Sequence, residues 1–167
     1  MCSPATVRVF PTKLTCKSSK LIFTCSPPLE EATITSLSST THLHHVAFST
    51  SDARIHIHNV LTDTTLFTLG PKTPSTKRIT SLTFCTDPSV GAGTSLECNK
   101  VNANGSARIL AAGDKDGDIT LWDLEKRRIV GVMRSAHSST SGGILKCEFL
   151  VGQKVLITTG GDNSLKV

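Results

Sequence analysis

The sequence predicts an all-β chain built as part of a β-propeller, with two whole four-stranded blades and two part-blades. Three observations carry this. A short apolar-alternating unit recurs as Val7-Arg8-Val9-Phe10, Ile55-His56-Ile57-His58, Ile119-Thr120-Leu121-Trp122 and Leu165-Lys166-Val167, with starts 48, 64 and 46 residues apart. In the last three copies an Asp stands three residues ahead of the first apolar position: Asp52, Asp116 and Asp162. Ser, Thr, Val and Ile are plentiful, and no long stretch carries an amphipathic helical period. A repeat of roughly 40–50 residues marks an architecture whose units bury their faces only against one another. An Asp-bearing turn, apolar alternation and the dipeptide Trp122-Asp123 make that unit a propeller blade.

The elements follow in order, with strands a to d of each blade running outward from the axis. Residues 1–31 are a part-blade, with strand c at 7–10 and strand d at 20–25. Residues 32–70 form a blade with strands at 32–37, 43–49, 54–58 and 65–69. Residues 71–134 form the next, with strands at 79–85, 108–113, 118–122 and 128–133, and residues 86–107 are a loop insertion between its first two. Residues 135–167 are a truncated blade with strands at 144–150 and 154–159, ending inside strand c. Pro27-Pro28, Gly70-Pro71, Asp116-Gly117, Gly142-Gly143 and Gly160-Gly161 supply the breaks. Within strand c, Ile119 and Leu121 point one way and Thr120 and Trp122 the other. Both sets can be buried between neighbouring blades. His58 takes the position of Trp122 in the preceding copy.

Composition narrows the function classes. Net charge is +5, from 18 Lys and Arg against 13 Asp and Glu. That is compatible with a polyanionic partner without demonstrating one. The six cysteines form no C-x-x-C pair, so zinc spacing is absent. With no secretory apolar segment, reduced intracellular thiols are the expectation. No apolar run reaches the roughly 18–20 residues of a membrane span. Residues 1–29 are basic, rich in Ser and Thr and free of acids, as in an organellar transit peptide. Strand-like Val7-Phe10 and Leu21-Ile22-Phe23 favour blade over leader.

Ile109-Leu110-Ala111-Ala112-Gly113, the run Gly117 to Arg128, Ala136-His137 and Gly161-Asp162-Asn163-Ser164-Leu165-Lys166 resemble consecutive WD repeats. Within that class, their order and spacing are similar to the nucleolar WD-repeat subunits of the U-three-protein-twenty-one type, members of the UTP-B part of the small-subunit processome. Asp52 to Leu61 resembles the repeat before them. The likeness spans residues 45–167, and residues 1–44 match only in pattern. Such proteins are several times longer, so the chain is expected to be a fragment or an incomplete gene product. Expressed alone, it is expected to aggregate, oligomerise or bind a chaperone, because partial blades expose sheet edges and apolar faces.

The resemblance implies a structural network. In WD repeats a His before strand a bonds the Asp of the b–c turn, completed by a strand b hydroxyl and a strand c Trp. His137, Asp162 and Thr158 or Thr159 match, with Thr159 taken as the hydroxyl. Asp116 and Trp122 hold the corresponding places one blade earlier. A catalytic His–Asp pair with Ser138 or Ser139 as nucleophile is the alternative, but that needs a base oriented onto a hydroxyl. Asp114-Lys115-Asp116-Gly117-Asp118 with Glu125 imitates a calcium loop, yet Ile119 occupies the position where such loops need Gly. His42, His44 and His45 lie near His56 and His58 if strands b and c pair, but no acid or Cys completes a tetrahedral set. No cofactor or metal is expected.

Basic residues fall on both propeller faces among acids, and no aromatic residues interleave to make a stacking platform. The sharpest candidate for RNA or partner contact is the Lys126-Arg127-Arg128 turn. What the resemblance implies is a non-catalytic scaffold for precursor ribosomal RNA processing, in the nucleolus. Its partners would be other WD-repeat UTP-B proteins, the small nucleolar ribonucleoprotein and precursor ribosomal RNA, with no membrane. The competing class is a generic WD-repeat adaptor, such as a ubiquitin-ligase substrate receptor or a trafficking scaffold. No nucleophile elbow or phosphate loop supports an enzyme.

Overall fold

The structure is a computed structural model that describes residues 7–9, 23–25, 32–40, 45–71, 77–85, 108–150 and 155–167. The predicted insertion at 86–107, most of the first part-blade, and His42 and His44 lie outside the described residues. Two short strands, β1 (Val7–Val9) and β2 (Phe23–Cys25), pair antiparallel. A four-stranded meander follows: β3 (Ile34–Ser39), β4 (His45–Thr50), β5 (Ile55–Asn59) and β6 (Thr64–Leu69). A second meander holds β7 (Ile79–Phe84), β8 (Ile109–Asp114), β9 (Ile119–Asp123) and β10 (Arg128–Met133). The last sheet has three strands, β11 (Ile144–Phe149), β12 (Leu156–Gly160) and β13 (Leu165–Lys166). All pairings are antiparallel between chain neighbours. The first strands of the three larger sheets pack side by side, β3 on β7 and β7 on β11. This is a partial propeller, its blades stacked face to face about their innermost strands.

The second and third sheets bury most of both faces of their middle strands. Between the second and third sheets lies a cluster of Ala47, Ile55, Ile57, Leu69, Ile79, Leu82, Phe84, Leu110 and Ala112, with Phe67 and Trp122 packed against it. Between the third and fourth lies a smaller one of Ala111, Ile119 and Ile144, flanked by Leu121, Phe149 and Leu156. β8 is buried along its whole length, which explains its run Ile109-Leu110-Ala111-Ala112-Gly113 without polar alternation. Small residues are needed there because the next blade presses close: a Cβ on Gly113 would sit 2.5 Å from the Ile144 side chain. Full burial of a side chain such as Leu110 stabilises by about 1.5–3 kcal/mol.

One irregularity recurs. The pairing of the first two strands shifts by one residue between Ile34 and Ser36, between Ile79 and Ser81, and between Ile144 and Lys146. These are β-bulges. In the third sheet the bulge turns Thr80 and Ser81 together towards the fourth. The Thr80 hydroxyl donates to the Ile144 and Gly113 carbonyls, and Ser81 Oγ accepts the Cys147 backbone N–H at 2.9 Å.

Candidate functional site

A 3-10 turn, Ser139–Ser141, leads into β11. Just before it His137 is 1% exposed, so its ring needs partners inside the protein. It has them at both nitrogens. Nδ1 lies 2.9 Å from Asp162 Oδ1 and 3.1 Å from Ser164 Oγ, and Nε2 lies 3.0 Å from Thr158 Oγ1. Asp162 in turn accepts the backbone N–H groups of Ser138 and Ser164 and the Ser164 hydroxyl. The Ser164 hydroxyl and then His137 hold the Asp162 carboxyl well below the usual carboxylate range, against a smaller opposing effect of burial. The network ties the segment before strand a to the b–c turn of the same sheet.

The strand b hydroxyl is Thr158, not the expected Thr159. Alternation decides it: Thr158 and Gly160 face His137, where a Cβ on Gly160 would meet the ring at 2.3 Å, while Thr159 faces the other way. Trp122 also lies outside this network. It packs with the apolar cluster shared with the second sheet, whereas Ile119 and Leu121 of the same strand face Ile144. His137 is not aimed at Ser138, the serine that follows it. Ser138 Oγ pairs with Thr140 Oγ1 at 2.8 Å, and both His137 nitrogens are occupied elsewhere. The arrangement holds a turn.

The third sheet solves the same turn differently. Asp114, at the end of β8, accepts the backbone N–H groups of Asp116 and Asp118 with Oδ1, each at 2.9 Å. Asp116, expected to be the turn acceptor, is half exposed, and among the described residues its carboxyl meets only the Lys77 ammonium, at 3.4 Å. The carboxyl two residues earlier, at the end of β8, takes both N–H groups, one of them Asp116's own. Gly117 permits the tight crossing, with φ at 86° and a built Cβ only 1.9 Å from the His137 carbonyl oxygen. Asp114→Ala should therefore cost about 1–3 kcal/mol in urea unfolding of the complete protein. Asp116→Ala should stay within about 0.5 kcal/mol.

The second sheet holds a third version. Thr50 Oγ1 donates to Asp52 and approaches His56 Nε2 at 3.5 Å, and His56 Nδ1 pairs with Thr68 Oγ1 at 3.1 Å. The His56 ring stacks on Phe48 with centroids 4.9 Å apart, and burial pushes its pKa down. His58, standing at the Trp122 position, is buried and contacts Asp63 and Thr65. The His56 chain escaped sequence reasoning because its signal, a Thr or Ser beside Asp at a turn, is common in any loop. Among the described residues, no three His, Cys, Asp or Glu side chains converge as a metal set. Asp114 and Glu125 lie at opposite ends of β9, so the imitation calcium loop never closes.

The basic turn joins β9 to β10. Asp123 caps it, accepting the N–H groups of Glu125 and Lys126 at 3.0 and 2.9 Å and facing Arg108 at 3.3 Å. Burial works against the Asp123 charge, but these backbone donors and Arg108 hold its pKa below the ordinary value. Asn59 caps the equivalent turn of the second sheet by accepting from Leu61 and Thr62. Arg127, at φ 52°, lays its guanidinium 4.7 Å over the Phe67 ring of the neighbouring blade. Lys126 and Arg128 are exposed. All three residues are exposed, and Arg127 among them also packs on a ring of the neighbouring blade.

The family model described as the WDR36/Utp21 first beta-propeller matches residues 14–167. The chain is 30% identical over 150 residues to U3 small nucleolar RNA-associated protein 21 of Saccharomyces cerevisiae, and 30% identical over 155 residues to human WD repeat-containing protein 36. Each match covers 90% of this chain and 14% of the relative, so the chain spans about one seventh of their length. A Schizosaccharomyces pombe homolog of the first is 50% identical over 58 residues, 35% of this chain and 6% of that protein. Among solved structures, a chain of the mitotic checkpoint complex superposes with TM-score 0.65 at 14% identity, covering 97% of this chain and 42% of that one. U3-55K superposes with TM-score 0.58 at 16% identity, covering 81% and 35%. At those identities the structural likeness speaks for the fold alone.

Proposed function

Because the chain belongs to the WDR36/Utp21 first β-propeller family, we propose that it serves as a non-catalytic scaffold in small-subunit ribosome biogenesis. The observation that carries this is the alignment of 90% of the chain with a relative named for association with U3 small nucleolar RNA. The geometry supports the same reading. The buried His, Asp and Thr groups are spent on holding turns, and the rigid blades carry exposed loops that several partners can use at once. The protein would act in the nucleolus, within the small-subunit processome, on processing of precursor ribosomal RNA. Its partners would be other WD-repeat UTP-B proteins and, directly or through them, the U3 small nucleolar ribonucleoprotein and the precursor RNA. No membrane role is included, and no helix among the described residues is long and apolar enough to cross one.

Depleting the complete protein tests the proposal. Small subunits should fall and unprocessed precursor RNA should rise, with large subunits nearly untouched. Tagged protein should recover U3 small nucleolar RNA. Normal precursor RNA together with recovery of a cullin-type ligase would replace the scaffold reading with the adaptor one. The exposed pair Lys126 and Arg128 is the place for phosphate contact. Replacing both by Gln should weaken association with precursor RNA and reduce its salt dependence. Unchanged association would leave them as solvated turn residues.

A further inference from the structure

A cleft of about 330 Å³ opens between the second and third sheets. Ile55, Ile79, Ala112, Trp122 and Ile129 make its walls apolar, and Asp114 stands in the wall among them. Ile129 is 49% exposed, so the cleft is reached from solvent. Asp114 is 8% exposed. Its Oδ1 is used by the turn N–H groups, and among the described residues no donor bonds its second oxygen. A carboxylate oxygen in apolar surroundings without a donor is costly, and a ligand carrying one relieves that cost.

The charges at the mouth select the ligand. Lys77 also borders the cleft, but it is held by Asp116 and Asp118 at 3.4 Å each. Three carboxylates, Asp114, Asp116 and Asp118, thus face one ammonium. Beside the cleft Asp52 pairs with Arg54 at 3.4 Å, which adds no net charge. An acidic guest meets repulsion here. A purely apolar guest fills the cleft and leaves Asp114 as it was. A guest with an aliphatic stem and a cationic head satisfies both the walls and the carboxyl, and the Trp122 face adds a cation–π surface.

We propose that this inter-blade cleft is a docking pocket for the arginine or lysine side chain of an extended segment in a partner protein. The stem lies along Ile79 and Ile129 and the head group reaches Asp114. Burial pushes the Asp114 carboxyl up from its ordinary value, and a seated cation acts in the opposite sense. The inference goes beyond the scaffold reading and does not depend on it, since the pocket chemistry involves neither RNA nor the processome.

The test uses the complete protein and three benzophenone-bearing pentapeptides that differ only in their central residue: arginine, citrulline or norleucine. Photo-crosslinking followed by peptide mapping should place the arginine probe on residues 112–129. The citrulline and norleucine probes should bind about tenfold or more weakly, the scale of one charge-assisted hydrogen bond. Asp114→Asn keeps the Oδ1 acceptor for the turn and should lose that preference. Thr120→Phe, which fills the cleft from a half-buried position, should abolish labelling while an unchanged melting curve shows that the blade remains folded. Equal labelling by all three probes, crosslinks elsewhere on the protein, or arginine preference that survives Asp114→Asn would each overturn the proposal.

Discussion

Replacing His137 by Ala should destabilise the last sheet by about 2–4 kcal/mol, read as the opening free energy of β12 amides in hydrogen exchange on the complete protein. Two costs combine. The imidazole is fully buried, so its removal leaves a cavity, and Thr158 Oγ1 loses its partner inside the protein. Ser138→Ala, one residue on, removes only a surface hydroxyl pair and should stay within about 0.5 kcal/mol. Equal effects from the two would mean that the ring does not hold the turn. The same network fixes a pH dependence. Asp162 is depressed in the folded state, chiefly by Ser164 and then by His137. A depressed carboxyl contributes stability above its unfolded pKa of about 4, and that contribution is lost as pH falls below it. Wild type should therefore lose protection at β12 between about pH 4 and 2. Asp162→Asn should flatten that decline.

Trp122→Ala should cost about 2–4 kcal/mol, somewhat less than a fully buried Trp because one side of the ring borders the open cleft. The loss falls at the junction of two blades, so protection should drop in β5 as well as in β9. Asp118→Ala gives the scale for comparison. Its Oδ1 accepts the Ser135 N–H at 2.9 Å and its Oδ2 meets Lys77, which makes about 1 kcal/mol the expected loss. A smaller effect at Trp122 than at Asp118 would remove the ring from its place as the anchor between sheets.

The strands were legible because the two periodicities that define them are written in the letters. Ile119-Thr120-Leu121-Trp122 alternates, and its flanking Asp-Gly and Glu-Lys turns mark where it stops. β8 was legible for the opposite reason, an unbroken run of small and apolar residues that only a strand covered on both faces needs. The family followed from the order of such units. What stayed hidden was which of two neighbouring side chains reaches inward. Thr158 and Thr159 are identical as letters, and one residue of register sends them to opposite faces. Asp114 and Asp116 are separated only by how the hairpin folds back, since either could have received the Asp118 N–H. The pairing of Arg127 with Phe67 joins residues of different blades, and nothing local in either stretch announces it.

The repeated bulge carries a consequence for how this chain can change length. Ile79 and Leu82 are three residues apart, yet both enter the cluster shared with the second sheet. Simple alternation would put them on opposite faces, and the extra residue restores them to one. Deleting Thr80 alone would leave Ile79 and Leu82 two residues apart, on one face by simple alternation, so the apolar set would survive without the bulge. The loss would fall on the other face, where the paired hydroxyls towards the fourth sheet would be reduced to one. Insertions at the rim displace only a turn, whereas deleting Thr83, past the bulge, would put Leu82 and Phe84 on opposite faces. The same arithmetic holds at Thr35 and Leu145, the bulged positions of the neighbouring blades. Each blade's innermost strand therefore tolerates the loss of its bulge residue better than a loss beyond it, and viable length variation among natural versions of this repeat should be confined to the bulges and the connections.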